Sequence, residues 1–198
     1  MFTGIVSSLG SVAESRSGRL GITAADIAAR LSIGASVAVN GVCLTVTDVE
    51  GQAFFADVVP ETVARTNLGD LTAHQPVNLE LPLSLAQGLD GHLVQGHVDA
   101  VVRVLTVRPV GLGSEIEFEL PAELAPYVAE KASVTLDGTS LTVAGLAADA
   151  QSFSVAFIPH TLERTIAGWY ESGTAVNLEV DVVARYVERL LGSRKQAG

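Results

Sequence analysis

Cys43, His97, Lys131, Ser140 and Thr142 supply a thiol, an imidazole, an amine and two hydroxyls. These side chains can move protons near neutral pH or add to an electrophilic carbon. Their spacing follows a pattern. Cys43 lies in NGVCLTV, Asn40 to Val46, and Ser140 lies in the similar DGTSLTV, Asp137 to Val143, at an offset of 137 − 40 = 97 residues. At that offset Cys43 faces Ser140, Thr45 faces Thr142 and Gly34 faces Lys131, and laying FTGIVSSLGSV over VQGHVDAVVRV sets Ile5 opposite His97. The polar, proton-handling types are therefore concentrated in the second half. Taken singly, each residue also has a purely structural reading. Cys43 in a strand pattern is a small buried hydrophobe, Ser140 and Thr142 alternate with Leu141 and Val143 like the solvent face of a strand, and Lys131 is a surface lysine. His92 and His97, at 97 − 92 = 5 apart, point to opposite faces of an isolated strand, so at most one of them faces a site directly.

The elements that must position these residues are themselves doubled. VPETVARTNLG from Val59 matches IPHTLERTIAG from Ile158, and PVNLELPL from Pro76 matches AVNLEVDV from Ala175, both at an offset of 99. Retained order and spacing imply two tandem domains with a boundary near Ala86 to Gly91. Each half reads as β-rich, with short alternating Val, Leu and Thr runs. Asn40-Gly41 and Asp137-Gly138 are hairpin signals, and the strand spacing suits a small closed barrel. Helices are expected near Thr23 to Arg30, in PETVARTNL and PHTLERTIA, and as a short turn near Ala122 to Val128. The clearest helix starts at Val182, with Val183, Tyr186, Val187, Leu190 and Leu191 on one face. That stripe must be covered by its own barrel or by another subunit.

The composition excludes several functions. Twelve Lys and Arg against 22 Asp and Glu give a net charge of −10, and without a basic cluster the chain is no nucleic-acid binder. The single cysteine forms no internal disulfide, which fits a reducing compartment. A basic-then-apolar leader and an 18-residue apolar span are both lacking, so a soluble cytoplasmic protein is expected.

The opening MFTGIV, the NGVCLTV and DGTSLTV pair, PETVARTNLGDL, GHLVQGHVDA, IPHTLERT and VNLEVDVVARYVERLL together resemble the riboflavin synthase family along essentially the whole chain. The resemblance implies an all-β fold of two tandem Greek-key six-stranded barrels with a C-terminal amphipathic helix. The divisions would be 1–88 and 89–181, each a lumazine-binding barrel, and 182–198, a trimerisation helix and tail. It also implies the last step of riboflavin biosynthesis. Two molecules of 6,7-dimethyl-8-ribityllumazine dismutate by transfer of a four-carbon unit, giving riboflavin and 5-amino-6-(D-ribitylamino)uracil. No cofactor and no metal are implied, because the two identical substrates exchange electrons with each other. The partners would be two further copies in a homotrimer, with active sites between subunits, and an association with lumazine synthase; neither nucleic acid nor membrane is expected.

Carried onto matching positions, the resemblance makes Cys43, His97, Lys131, Ser140 and Thr142 catalytic. Ser140 and Thr142 would hydrogen-bond the ring near the reacting carbons, and His97 would shuttle protons. Lys131 would stabilise the anion left by deprotonation of the C7 methyl group, and Cys43 would position or add to the acceptor ring. Substrate binding would fall to Phe2, Gly4, Ile5, Val6, Ser36, Leu44, Thr45, Asp57, Val58, Val59, Pro60, Glu61 and Thr62 in the first half. In the second half it would fall to Gly96, Val98, Leu141, Ile158, Pro159, His160, Thr161 and Leu162, with Asp181 as a support near the barrel end. The chain departs from the family pattern at Asp90, at Ala132 and at Trp169, Tyr170 and Glu171. The alternative is a non-catalytic lumazine- or flavin-binding protein of the same fold.

Overall fold

Asn40-Gly41 and Asp137-Gly138 form two-residue hairpin turns in which both residues have positive φ, 45° and 74° in the first and 43° and 78° in the second. That backbone matches the right-handed twist of the strands it joins. In the computed structural model, which describes residues 1–16 and 18–195 with side chains to 191, these turns sit at corresponding places in two closed six-stranded barrels.

The first barrel comprises β1 (Ser8–Arg16), β2 (Arg19–Thr23), β3 (Ser36–Val39), β4 (Val42–Glu50), β5 (Ala53–Asp57) and β6 (Pro76–Glu80), hydrogen-bonded in the order β1-β2-β5-β4-β3-β6. The second repeats that Greek-key order with β7 (Ala100–Val110), β8 (Gly113–Glu119), β9 (Ser133–Leu136), β10 (Thr139–Leu146), β11 (Ser152–Phe157) and β12 (Ala175–Val180). Each barrel bends at matched register shifts, at Val12/Glu14 and Val46/Asp48 in the first and at Val104/Thr106 and Val143/Gly145 in the second. Such bulges increase local twist and let a short sheet close on itself. Alternate residues fill each interior. Val12, Ile22, Val37, Phe54 and Leu79 are buried in one core, and Val104, Ile116, Phe118, Val134, Phe153 and Leu178 in the other.

The helices are short. α1 covers only Ala25–Ala28, less than the expected stretch, because Leu31 onward turns back towards β3. α2 (Pro60–Arg65) and α3 (Pro159–Arg164) each begin on a proline, whose fixed φ suits a first turn, and each passes into a single 3₁₀ turn. α4 spans Val182–Lys195; positions 196–198 of the expected terminal segment lie outside the described residues. Its apolar stripe is not buried on its own barrel, since Val183 is 55% and Tyr186 67% exposed. The helix is held instead by Arg185, which pairs with Asp99.

The barrels are joined by reciprocal bonds. Phe2 and Val94 exchange backbone hydrogen bonds of 2.7 and 3.1 Å. The Asn78 side chain donates to the Asp137 carbonyl and that of Asn177 to the Asn40 carbonyl, both at 2.8 Å. The second half adds a carboxylate: Asp137, fully buried, accepts from Tyr170 Oη at 2.7 Å, Asn67 Nδ2 at 2.8 Å and the Asn177 amide at 2.9 Å. Burial pushes its pKa up to about 7, against the lowering effect of these three donors.

A raised carboxyl pKa favours the native state below the ordinary value near 3.8, and that advantage is lost as pH rises through about 7. Glu80 and Glu179, also raised by burial, act in the same direction. Asp137→Asn, which restores the residue type of position 40, is expected to remove Asp137's share of this slope. Between about pH 5 and pH 8 the wild type should lose roughly 1 kcal/mol or more relative to the variant in thermal or denaturant unfolding. Parallel stability curves would show that Asp137 does not titrate in this window.

Candidate functional site

Two buried glutamates at the ends of β6 and β12 shape the two sites. Glu80 accepts from the amides of Thr3 and Gly4 at 2.6 and 3.0 Å and from the Thr3 hydroxyl at 2.7 Å. Glu179 accepts from the amides of Gln95, Gly96 and His97 at 2.7, 2.9 and 3.0 Å. A carboxylate receiving several N–H donors fixes the path of the chain around it. Each strap then crosses to the opposite barrel: the Gly96 carbonyl accepts from the Cys43 amide at 3.0 Å, and the Gly4 carbonyl from the Ser140 amide at 2.7 Å.

Glycine is required at both crossings. Gly4 and Gly96 have φ of +75° and +79°, and a Cβ on either would lie 2.6 Å from the Cβ of Ser140 or Cys43. The straps thus divide the expected site residues into two groups. Around the first barrel are Cys43, half-buried on β4, and its neighbours Leu44 and Thr45, with Ser36 paired across β3 to Thr45. The strap adds Gly96, an exposed His97, and Val98, which packs on the first barrel's core. Around the second barrel are Ser140, Leu141 and an exposed Thr142 on β10, joined by Gly4, Ile5 and Val6. His97, although encoded in the second half, therefore stands beside Cys43 rather than Ser140.

The imidazole beside Ser140 is His92. Its Nδ1 lies 2.7 Å from Ser140 Oγ, and its Nε2 lies 3.2 Å from the hydroxyl of buried Thr135. Burial lowers its pKa, with the charge of Asp181 acting in the other direction, which favours the neutral ring. His92 falls in the GHLVQGHVDA motif, but its five-residue spacing from His97 put the two on opposite faces of a strand, and nothing in the sequence pointed to Thr135. Strand alternation does not apply to the His92–His97 segment, which runs as an irregular strap between the barrels.

Lys131 is exposed in a turn with φ of 68°, where the matched Gly34 has 86°, and its ammonium lies 3.3 Å from Glu130 and 3.4 Å from the Ala144 carbonyl. Phe2 is fully buried, packed with Ala38 and Val94 between the barrels, so it backs the strap from beneath. Asp57 ends β5; Val59, Pro60 and Glu61 are exposed at the start of α2, Val58 is buried and Thr62 half-buried. In the second barrel Ile158, Pro159 and His160 are likewise exposed at the start of α3, with Thr161 and Leu162 half-buried. A cleft of about 350 Å³ brings His160, Glu163 and Arg164 opposite Val6 to Leu9, so the α3 end of the second barrel opens towards the strap at Val6. Among the described residues no group of three or more His, Cys, Asp or Glu side chains converges as a metal site, and no helix is long and apolar enough to cross a membrane.

Two barrels, each with a strap delivered from the other half, define a protein built from a pair of small-molecule-binding modules. The chain matches the Lumazine binding domain family over residues 3–82 and again over 95–181. It is 49% identical over 200 residues to the riboflavin synthase of Mycobacterium bovis, covering 98% of this chain and 99% of that one. With the riboflavin synthase of Bacillus subtilis the identity is 36% over 195 residues, covering 96% and 90%. A crystal structure of LumP complexed with riboflavin superposes with a TM-score of 0.82 at 25% identity, over 91% of this chain and 99% of that one. The chain belongs to the riboflavin synthase family.

Glu179→Ala leaves the amides of Gln95, Gly96 and His97 without their acceptor. Hydrogen exchange at these three positions is expected to accelerate by about tenfold or more, while Thr3 and Gly4, held by Glu80, keep their protection. Equal acceleration at both straps would mean that Glu179 supports the whole barrel junction rather than its own strap.

Proposed function

We propose that this protein is a riboflavin synthase. It converts two molecules of 6,7-dimethyl-8-ribityllumazine into riboflavin and 5-amino-6-(D-ribitylamino)uracil by moving a four-carbon unit from one to the other. The observation that carries this reading is the pair of equivalent but differently furnished sites: a bimolecular reaction of one compound with itself needs two places for the same ring, and a donor and an acceptor need different surroundings. Holding both rings in register replaces a bimolecular encounter by a positioned one, which can contribute on the order of 7–11 kcal/mol when geometry is ideal.

In this reading the ring edges are held by the backbone of Gly4 to Val6 and of Gly96 to Val98. The ribityl hydroxyls meet Ser36, Asp57 and Thr62 on one barrel and the Ile158–Leu162 segment on the other. Ser140 and Thr142 bond the ring near the reacting carbons, and Lys131 stabilises the anion formed when the C7 methyl group loses its proton. Exposed His97 moves protons beside Cys43, whose thiol orients or adds to the acceptor ring. Lys131 reaches this role by leaving Glu130, an exposed pair that costs little to break.

The working divisions are 1–88, 89–181 and 182–198. The stripe of α4, exposed on the single chain, supports assembly into a trimer with sites completed between subunits. A lone thiol is compatible with the cytoplasm, and an association with lumazine synthase, which would supply the substrate, is part of the same reading. The second reading is a carrier of lumazine or flavin; its support is the fold shared with LumP.

Incubation with 6,7-dimethyl-8-ribityllumazine alone is expected to yield one riboflavin per two lumazines consumed, measured by chromatography, whereas tight binding without product would favour the carrier. Ser140→Ala and His97→Gln should each lower kcat by roughly a hundredfold or more while changing ligand affinity far less; unchanged turnover would remove that residue from the chemistry. Removing the chain from Val182 onward should shift the assembly towards monomer in sedimentation with both barrels still folded, and an unaltered assembly would rule out α4 as its organiser.

A further inference from the structure

The side of the second barrel that carries Ser140 contains a three-residue chain without a counterpart in the first. Ser140 and Thr135 are direct cross-strand partners on β10 and β9, and His92 bridges their hydroxyls with its two ring nitrogens. At the matched positions of the first barrel the cross-strand pair is Cys43 and Ala38, which offers no pair of hydroxyls for an imidazole to bridge.

The direction of the two hydrogen bonds follows from burial. Thr135 is 1% exposed, and among the described residues its hydroxyl has His92 Nε2 as its one hydrogen-bond partner. A buried O–H left without an acceptor is costly. The Thr135 proton is therefore directed at Nε2, which must accept. In a neutral imidazole the other nitrogen then carries the hydrogen, so Nδ1–H donates to Ser140 Oγ across 2.7 Å. With its oxygen accepting from His92, Ser140 is left with its own proton to offer outward.

We infer that Thr135 is a positioning residue of this site: through His92 it holds Ser140 as a hydrogen-bond donor to the ligand, not as a base. This rests on the reading above that Ser140 faces lumazine. It assigns Ser140 to stabilising the anion left after the C7 methyl proton has gone, and leaves removal of that proton to another group. The bond to the ligand strengthens as charge builds on the ring, so the arrangement acts on turnover more than on binding.

The test combines nitrogen NMR of protein labelled with ¹⁵N-histidine and steady-state kinetics. The chain has 4 histidines, and His92 is assigned by its loss in His92→Asn. The wild type is expected to show His92 with Nδ1 protonated and Nε2 bare. Thr135→Val, which keeps the shape and removes the hydroxyl, should abolish that single-tautomer signature. It should also lower kcat roughly tenfold, about the worth of one hydrogen bond, with KM within about twofold. Thr135→Ser should restore both. A wild-type His92 protonated on Nε2, or a folded Thr135→Val enzyme with unchanged kcat, would overturn the inference. If Thr135→Val does not fold, the wild-type tautomer and the Thr135→Ser enzyme still decide it. A wild type that binds lumazine without forming riboflavin would sink the assigned reaction, while the NMR signature would continue to decide the direction of the bonds.

Discussion

The contact on which the structure depends is the backbone-to-backbone meeting of two hairpin turns. A Cβ on Gly41 would lie 2.6 Å from the Gly138 amide nitrogen, and one on Gly138 would lie 2.7 Å from that of Gly41. Two barrels can approach this closely only if both turns are bare at that point, and only glycine tolerates the positive φ there at no steric cost. With the turns in contact, Asn78 and Asn177 reach the carbonyls of the opposite turn and the Phe2 and Val94 segments fall into register as a bonded pair. A side chain on Gly41 or Gly138 would separate all of these together.

That closeness makes the barrel mouths composite. Each barrel mouth receives a strap from the other half whose path is set by a buried glutamate. The cost of burying Glu80 and Glu179 is offset by the N–H groups they collect, groups that would otherwise lack partners at a barrel mouth. Because the strap of one half serves the barrel of the other, a residue's place along the chain does not say which site it joins. His97 and His92, five positions apart, consequently serve different barrels.

Asymmetry is laid over this frame by side-chain differences at matched positions. Asn40 is replaced by Asp137, Leu71 by Tyr170, Cys43 by Ser140, Ala38 by Thr135 and Gly34 by Lys131. The first two changes add a buried carboxylate and the phenol that satisfies it. The last three exchange a small apolar lining for hydroxyls and an amine. A duplicated fold can give two copies of one ring different environments by such substitutions, since key turns keep their backbone: Lys131 and Gly34 share even their positive φ.

Local chemistry in the sequence was sufficient for the β class, the doubling, the two tight turns and the terminal helix. Alternating Val and Leu, an Asn-Gly or Asp-Gly step, Pro at a helix start and a stripe every three or four residues act over a few neighbours and need no distant partner. The repeat set Cys43 opposite Ser140 and Gly34 opposite Lys131, but each of these reads as structural when taken singly, and only the resemblance to a family made them candidates. Only the tertiary structure decided the rest. The Asn78 and Asn177 exchange, the glutamate anchors and the Thr135–His92–Ser140 chain rest on hydrogen bonds between residues 43 to 137 apart, and a buried polar atom finds its partner by where strands close, not by spacing along the chain. Thr135 is an ordinary strand threonine until β9 and β10 pair and His92 arrives from the strap to cover it.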